Sequence, residues 1–291
     1  MIPPEILRQV RRIEIYTNRI VNETMSGRYE SVFKGRGIEF DEVREYQPGD
    51  EIRAIDWNVT ARTGRPHIKR FVEERELTLM CVVDLSRSMA FGSVRQFKQR
   101  VATELCAMLA FSAIKNHDKV GLLLFTDRIE RFLPPKKGVR HVLRVIREVL
   151  SAEPTGQGTD ARLALEYLNR VIRRKAVVFL ISDFFCGNLS ASLAVANKRH
   201  DVIAVHLVDP RQEALPPLGW LRLADAETGR ELLVNSAHPM IRGAYADWDH
   251  HHRQRLQEMA CAAGVDIVEV RTDRPYLDPL LKFFRMRSLR R

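Results

Sequence analysis

The chain has 291 residues, 45% of them hydrophobic, with Gly 15, Pro 13 and no repeated tract; this excludes disorder, a collagen-like chain and a solenoid of obvious period, and suits one large core with an appended segment. The net charge is +10, but five of the cations (Lys282, Arg285, Arg287, Arg290 and Arg291) stand in the last ten residues, which hold no anion, so half of the excess belongs to one tail. No run of about 18 apolar residues occurs, the first residues carry charges where a signal peptide needs an apolar stretch, and Cys81, Cys106, Cys186 and Cys261 show no Cys-x-x-Cys spacing. The expectation is a cytoplasmic protein with buried thiols, without a zinc site or a disulfide framework.

Taken in chain order, Ile6, Val10, Ile13, Thr17 and Ile20 or Val21 recur in steps of three and four and predict an amphipathic helix within residues 4–25. From Lys34 to Glu76, nine basic and ten acidic residues fill 43 positions around a Pro48-Gly49 turn signal, which predicts a surface segment. LTLMCVVD (77–84) reads as a buried strand, followed by a helix over 94–115 with Phe97, Val101, Leu105, Met108 and Leu109 on one face. VGLLLF (120–125), a hairpin-like RIERFL (128–133), helices near 138–151 and 160–173, AVVFLIS (176–182), a further helix and DVIAVHLV (201–208) continue the alternation. Near-continuous Val, Ile and Leu runs flanked by helices predict parallel strands covered on both faces, hence a doubly wound α/β sheet. Beyond Pro210, residues 221–234 read as a β-hairpin excursion turning at Glu227-Thr228-Gly229, followed by a helix over 241–263, a strand over 265–270 and the basic last helix. Two regions result: an N-terminal helix and charged segment over 1–76, and the sheet domain with its hairpin over 77–291.

Ligands of open α/β sheets gather at the carboxyl ends of strands, near the switch in strand order. Three such ends carry oxygen donors. DLSRSM supplies Asp84, Ser86 and Ser88; TGQGTDARLAL supplies Thr159 before a helix, with Gly156 and Gly158 allowing close backbone approach and Thr155 as a rival; VVFLIS ends in Asp183. Two carboxylates and three hydroxyls form a hard donor set that suits magnesium.

Asp84, Ser86, Ser88, Thr159 and Asp183, in that order and context, resemble the metal-ion-dependent adhesion site of von Willebrand factor type A domains. The resemblance implies a divalent cation, magnesium with manganese or calcium as alternatives, held partly through water, with one position left for an acidic side chain of a partner. The stretch GRGIEFDEVREYQPGDEIRAIDWNVTARTGRPHIKRFVEERE (35–76), running into the first strand, is similar to the signature of the bacterial domain-of-unknown-function family fifty-eight. That resemblance implies a MoxR-type AAA+ ATPase as partner and a role as adaptor in the maturation or assembly of a client protein.

Other features read as structural. Asp160 is placed to cap a helix and Asp127 to sit in a loop. Glu39, Asp41, Glu42, Glu45, Arg53, Asp56 and Trp57 suit a charged, structural or partner-facing surface. His250, His251 and His252 diverge by about 100° each on a helix and predict an exposed face, not a metal site. Phe184 and Phe185 either pack beneath the loop or form a contact patch. The tail KFFRMRSLRR offers a nucleic-acid or peripheral membrane contact, against the simpler reading of a helix with an apolar stripe and a solvated basic face. A magnesium phosphohydrolase of haloacid-dehalogenase type would carry a second acid two residues after Asp84, where Ser86 stands. The expectation is therefore a non-enzymatic, magnesium-dependent protein-binding module.

Overall fold

A computed structural model describes residues 4–20, 38–73, 76–94 and 96–290. Positions 21–25 of the predicted first helix, 34–37 and 74–75 of the charged stretch, 95 of the helix expected over 94–115, and Arg291 of the tail lie outside the described residues. The chain divides into two compact units, Phe33–Leu77 and the remainder.

The chain opens on α1 (Pro4–Ile20). In the smaller unit, β1 (Ile38–Glu45) and β2 (His67–Glu73) pair antiparallel, with a register shift between Phe40 and Glu42, around α2 (Trp57–Thr63). The Asp56 side chain caps α2 by accepting the Asn58 and Val59 N–H groups, and Gly64 ends it at φ 74, a left-handed conformation that glycine adopts without a Cβ penalty. Arg44 grips Asp50 through two hydrogen bonds of 2.8 and 2.7 Å, closing the Pro48-Gly49 turn.

The larger unit is a six-stranded sheet. It is built from β3 (Thr78–Asp84), α3 (Lys98–Lys115), β4 (Lys119–Phe125), β5 (Ile129–Lys136), α4 (Val139–Leu150), α5 (Ala161–Val171) and β6 (Val177–Ser182), then α6 (Ser190–Arg199), β7 (Asp201–Val208) and the one-turn α7 (Pro210–Glu213). The hairpin strands β8 (Trp220–Ala224) and β9 (Glu231–Asn235) follow, then α8 (Pro239–Ala263), β10 (Asp266–Arg271) and α9 (Leu277–Leu289). The strand order is β10-β7-β6-β3-β4-β5, parallel throughout except for β5, which returns antiparallel along β4. This is the doubly wound α/β class expected from the apolar runs.

Side chains alternate across the sheet. Met80 and Val82 of β3 join α5, α6 and α8 in one core cluster through Leu165, Leu168, Leu193 and Leu256. On the central strand Leu79, Met80, Cys81, Val82 and Val83 are all fully buried, as a strand covered on both faces requires. The helix α1 groups with this unit and not with the charged segment that follows it, unlike the expected division at 76/77. It buries Val10, Ile13 and Thr17 and packs on α3 and α4. An amphipathic stripe needs an apolar surface, and a segment with nearly half its positions charged offers little.

From β3 the chain runs outward to β4 and β5 on one side and to β6, β7 and β10 on the other. The switch in order therefore lies between the carboxyl ends of β3 and β6, which carry Asp84 and Asp183.

Candidate functional site

Asp84 is fully buried where β3 ends. Its Oδ1 accepts the Ser86 N–H at 2.8 Å, and its Oδ2 accepts the Ser182 hydroxyl at 2.6 Å. The chain then enters a 3-10 turn at Arg87–Ala90, which brings the Ser86 and Ser88 hydroxyl oxygens to 3.0 Å from each other, both buried. Ser182 is shared: its oxygen also accepts the Phe184 N–H at 2.9 Å. One hydroxyl thus ties the end of β3 to the turn after β6. Phe184 has φ 57, an outlying conformation for a bulky residue, held because the ring is buried against His206.

Asp183 is also fully buried, and its Oδ2 accepts a 2.7 Å hydrogen bond from Lys98 Nζ, itself fully buried at the start of α3. Its Oδ1 accepts the Phe185 N–H at 3.3 Å, and its carbonyl accepts His252 Nε2 at 3.3 Å. Lys98 escaped the sequence reading. The signal was present, for Lys98 stands three, four and seven residues before Val101, Ala102 and Leu105, on the stripe that faces inward.

The electrostatics follow from burial. Desolvation, reinforced by the charge of Asp183, pushes the Asp84 carboxyl up to about 7 against the pull of its Ser182 and Ser86 hydrogen bonds. Desolvation, then His252, brings His206 down to about 3, so its imidazole is neutral, and burial lowers His252 as well. Burial and the nearby Asp84 and Asp183 raise the Cys186 thiol to about 12. Asp183 is paired with the Lys98 ammonium, and Asp84 lies near enough to feel the Asp183 charge. The donor set, carboxylate and hydroxyl oxygen, is of the kind that a hard cation takes. No group of three or more His, Cys, Asp or Glu side chains stands at metal-binding spacing among the described residues. Such a seat would draw the rest of its shell from hydroxyls, water and an outside ligand.

Thr159 arrives on the loop between α4 and α5. Glu130 of β5 anchors that loop, accepting the Thr155 N–H and hydroxyl at 3.0 Å each, the Gly156 N–H at 2.8 Å and the Thr126 hydroxyl at 2.7 Å. A Cβ at Gly156 would lie 2.0 Å from Thr126 Oγ1 and 2.1 Å from Asp127 Oδ1, so the close approach requires glycine. Thr155 is thereby engaged with β5. Asp160 caps α5 through the Arg162 and Leu163 N–H groups, as expected. The Thr159 hydroxyl donates to Glu227 Oε1 at the tip of the hairpin. Asp84, Ser86 and Ser88 are therefore joined by direct hydrogen bonds, and Asp84 is bonded to Ser182, the residue that precedes Asp183. Thr159 is engaged instead with Glu227, whose carboxyl is raised by burial and by the charge of Asp183. Glu227 had been read only as part of a turn.

An aromatic rim adjoins Asp183. The Phe185 ring stacks on His252 at 4.4 Å and on Trp248 at 5.4 Å, with Lys98 Nζ 5.5 Å from its centroid. Of the two readings left open, Phe184 packs beneath the loop and Phe185 lies half-buried against α8. The His250–His252 run is exposed only in part, because the turn of α8 that exposes His250 and His251 brings Asp249 and His252 inward. Cys81 and Cys106 are buried, but Cys186 is half-buried and Cys261 exposed, since the outer face of α8 needs no apolar contact. In the basic tail, Leu280, Phe283 and Phe284 are buried, Arg287 pairs with Asp201 and Asp266, and Arg290 with Asp266. No helix among the described residues is long and apolar enough to cross a membrane.

Comparison with known proteins finds relatives over most of this length. The uncharacterized protein Rv1480 of Mycobacterium tuberculosis is 30% identical over 285 residues, 96% of this chain and 89% of the relative. Among solved structures, BatB from Bacteroides thetaiotaomicron aligns at 18% identity and TM-score 0.49 over 74% of this chain and 100% of that one. The SpRpn10 VWA domain aligns at 12% identity and TM-score 0.40, over 70% and 94% respectively. The family model described as "Protein of unknown function DUF58" matches residues 42–255, from inside the charged segment to α8. With a match of that extent, the chain belongs to the DUF58 family.

Proposed function

We propose that the protein is a non-enzymatic protein-binding module whose affinity depends on a divalent cation, magnesium first, and that it serves a MoxR-type AAA+ ATPase as adaptor in the maturation or assembly of a client. Asp84, Ser86 and Ser88 would hold the ion, with Asp183 and Thr159 completing the shell in part through water. A carboxylate from the partner would fill the remaining position, a charge-assisted contact at the centre of an interface. The cation supplies the charge that recognises that carboxylate. The observation that carries this reading is the buried pair Asp84 and Asp183, the second held by the Lys98 ammonium, beside the buried Ser86 and Ser88 hydroxyls, whose oxygens lie 3.0 Å apart. The ATPase as partner rests on the resemblance carried by residues 35–76.

The test is equilibrium binding of the full-length protein to the cognate ATPase and to clients captured with it, in magnesium, in chelator, and with Asp84→Ala. Loss of binding in both arms, with an unchanged far-ultraviolet circular dichroism spectrum, is the expected result. Unchanged affinity in either arm refutes the proposal.

A further inference from the structure

A cavity of about 400 Å³ opens within the larger unit where α1, the start of α3 and the turn between β10 and α9 meet, a size typical of small-ligand sites. None of its lining residues belongs to the cation seat proposed above. One polar group in it is left unexplained by the fold. Tyr276 is 7% exposed, and its hydroxyl is buried without a hydrogen-bond partner among the described residues. A buried hydroxyl left unpaired costs stability, and native proteins keep such a group where water, an ion or a ligand completes it. Burial, then the neighbouring Glu104 and Tyr16, raise this hydroxyl against the pull of Arg100. It therefore keeps its proton and is a donor, and the three groups that act on it line the same cavity.

The charge around that hydroxyl leans one way. Arg12, Arg100 and Arg274 line the cavity, and Glu104 is the acid among the lining residues. Glu104 is committed to Arg100, whose Nε donates to it at 2.8 Å across one turn of α3. Arg274 is exposed and meets Asp273 only at 3.9 Å, a carboxylate already held by Arg271 at 3.0 Å. Arg12 forms no ion pair among the described residues. Two guanidinium groups are thus left for an anion, and their charge matches the near-dianion of a phosphate monoester, which arginine recognises with paired N–H donors. The other walls include Ile13, Pro275 and the ring of Tyr16, which is exposed. Such faces suit a flat apolar body attached to the phosphate.

We propose that this cavity binds a small organic phosphate monoester, with Arg12 and Arg274 against its oxygens, the Tyr276 hydroxyl donating to it and Tyr16 against its body. The site is independent of the cation reading above. It carries a signature that a purely structural tyrosine lacks. Removing a hydroxyl that no protein group pairs leaves folding unharmed, while the same change costs a hydrogen bond to a charged ligand.

The experiment is a calorimetric titration of phenyl phosphate, inorganic phosphate and phenyl sulfate, one at a time, into the full-length wild type, Tyr276→Phe and Arg12→Gln. The melting temperature of each protein is measured first without any of the three. The wild type is expected to bind phenyl phosphate more tightly than either inorganic phosphate or the singly charged phenyl sulfate. Tyr276→Phe is expected to melt no lower than the wild type yet to bind phenyl phosphate about tenfold more weakly, the loss of one hydrogen bond to a charged group. Arg12→Gln is expected to show a similar loss. A wild type that does not bind phenyl phosphate, or an affinity unchanged in either variant, overturns the site. Phenyl sulfate or inorganic phosphate binding as tightly as phenyl phosphate overturns the assignment to a phosphate monoester.

Discussion

Lys98 is a fully buried cation held against Asp183, and its cost and benefit are unusual for a lysine. Two buried ions repay their desolvation only while they remain together; taking one away leaves the other alone in a poorly polarisable surrounding. Lys98→Met keeps the length of the side chain and its fit against Phe185 but strands Asp183. We expect this variant to lose about 3–5 kcal/mol of stability in urea unfolding without divalent ions, and to recover part of that loss when magnesium is added, since the ion would supply the charge that the ammonium gave. A loss of the same size at every magnesium concentration would mean that Asp183 does not sense the cation. At this scale the sequence was only partly legible. The oxygens of Asp84, Ser86 and Ser88 could be read because they lie two apart in one loop. Lys98 could not be read as a partner of Asp183, because a separation of 85 positions gives no hint of which buried acid a buried lysine will meet.

Elements are joined at their ends as well as through the core, and Asp209 shows how. It follows β7, is fully buried, and accepts the Ser93 N–H at 2.9 Å, the Arg211 N–H at 2.9 Å and the Thr272 hydroxyl at 2.8 Å. It thereby holds together the loop ahead of α3, the start of α7 and the residue after β10. Burial alone would raise its carboxyl, but hydrogen bonds led by Ser93 outweigh it and hold the group below the usual carboxylate range. The folded protein therefore binds this proton less readily than the unfolded chain. The contribution of Asp209 is complete above the unfolded carboxylate value of about 3.9 and is lost as pH falls through the lower folded value. Melting temperatures taken from pH 6 downward should show that fall, and Asp209→Asn should be less stable near neutrality yet show a shallower fall in acid. An equally steep decline in the variant would assign the acid sensitivity elsewhere. The strands were legible because fully buried parallel strands are apolar at every position. Their ends were less so: the helix expected from 94 begins at Lys98, since Ser93 is committed to Asp209 and the Lys98 N–H to the Phe91 carbonyl. The partner of α1 was likewise hidden, because an apolar stripe announces that it will be buried and not against what.

Charge and chain ends belong to the molecule as a whole. The tail that holds half of the net +10 is also the last structural helix of the larger unit, with Phe284 fully buried and Phe283 nearly so. Truncation after Leu281 should therefore act first on folding, each lost aromatic costing about 3–5 kcal/mol, visible as a large drop in the urea midpoint. Replacing Lys282 and Arg285 by Glu leaves those rings in place and should leave the midpoint nearly unchanged; a truncated chain as stable as the full one would mean that α9 is an appendage. The hairpin stands in a different relation to the rest. Among the described residues, strands β8 and β9 pair only with each other, and no rung of their ladder is shared with the six-stranded sheet. Lifting the tip would break local bonds such as that between Thr159 and Glu227 while every strand of the core keeps its neighbours. Motion of the hairpin tip can thus proceed on the nanosecond-to-microsecond scale of loops, far faster than global unfolding, while the sheet beneath it stays intact.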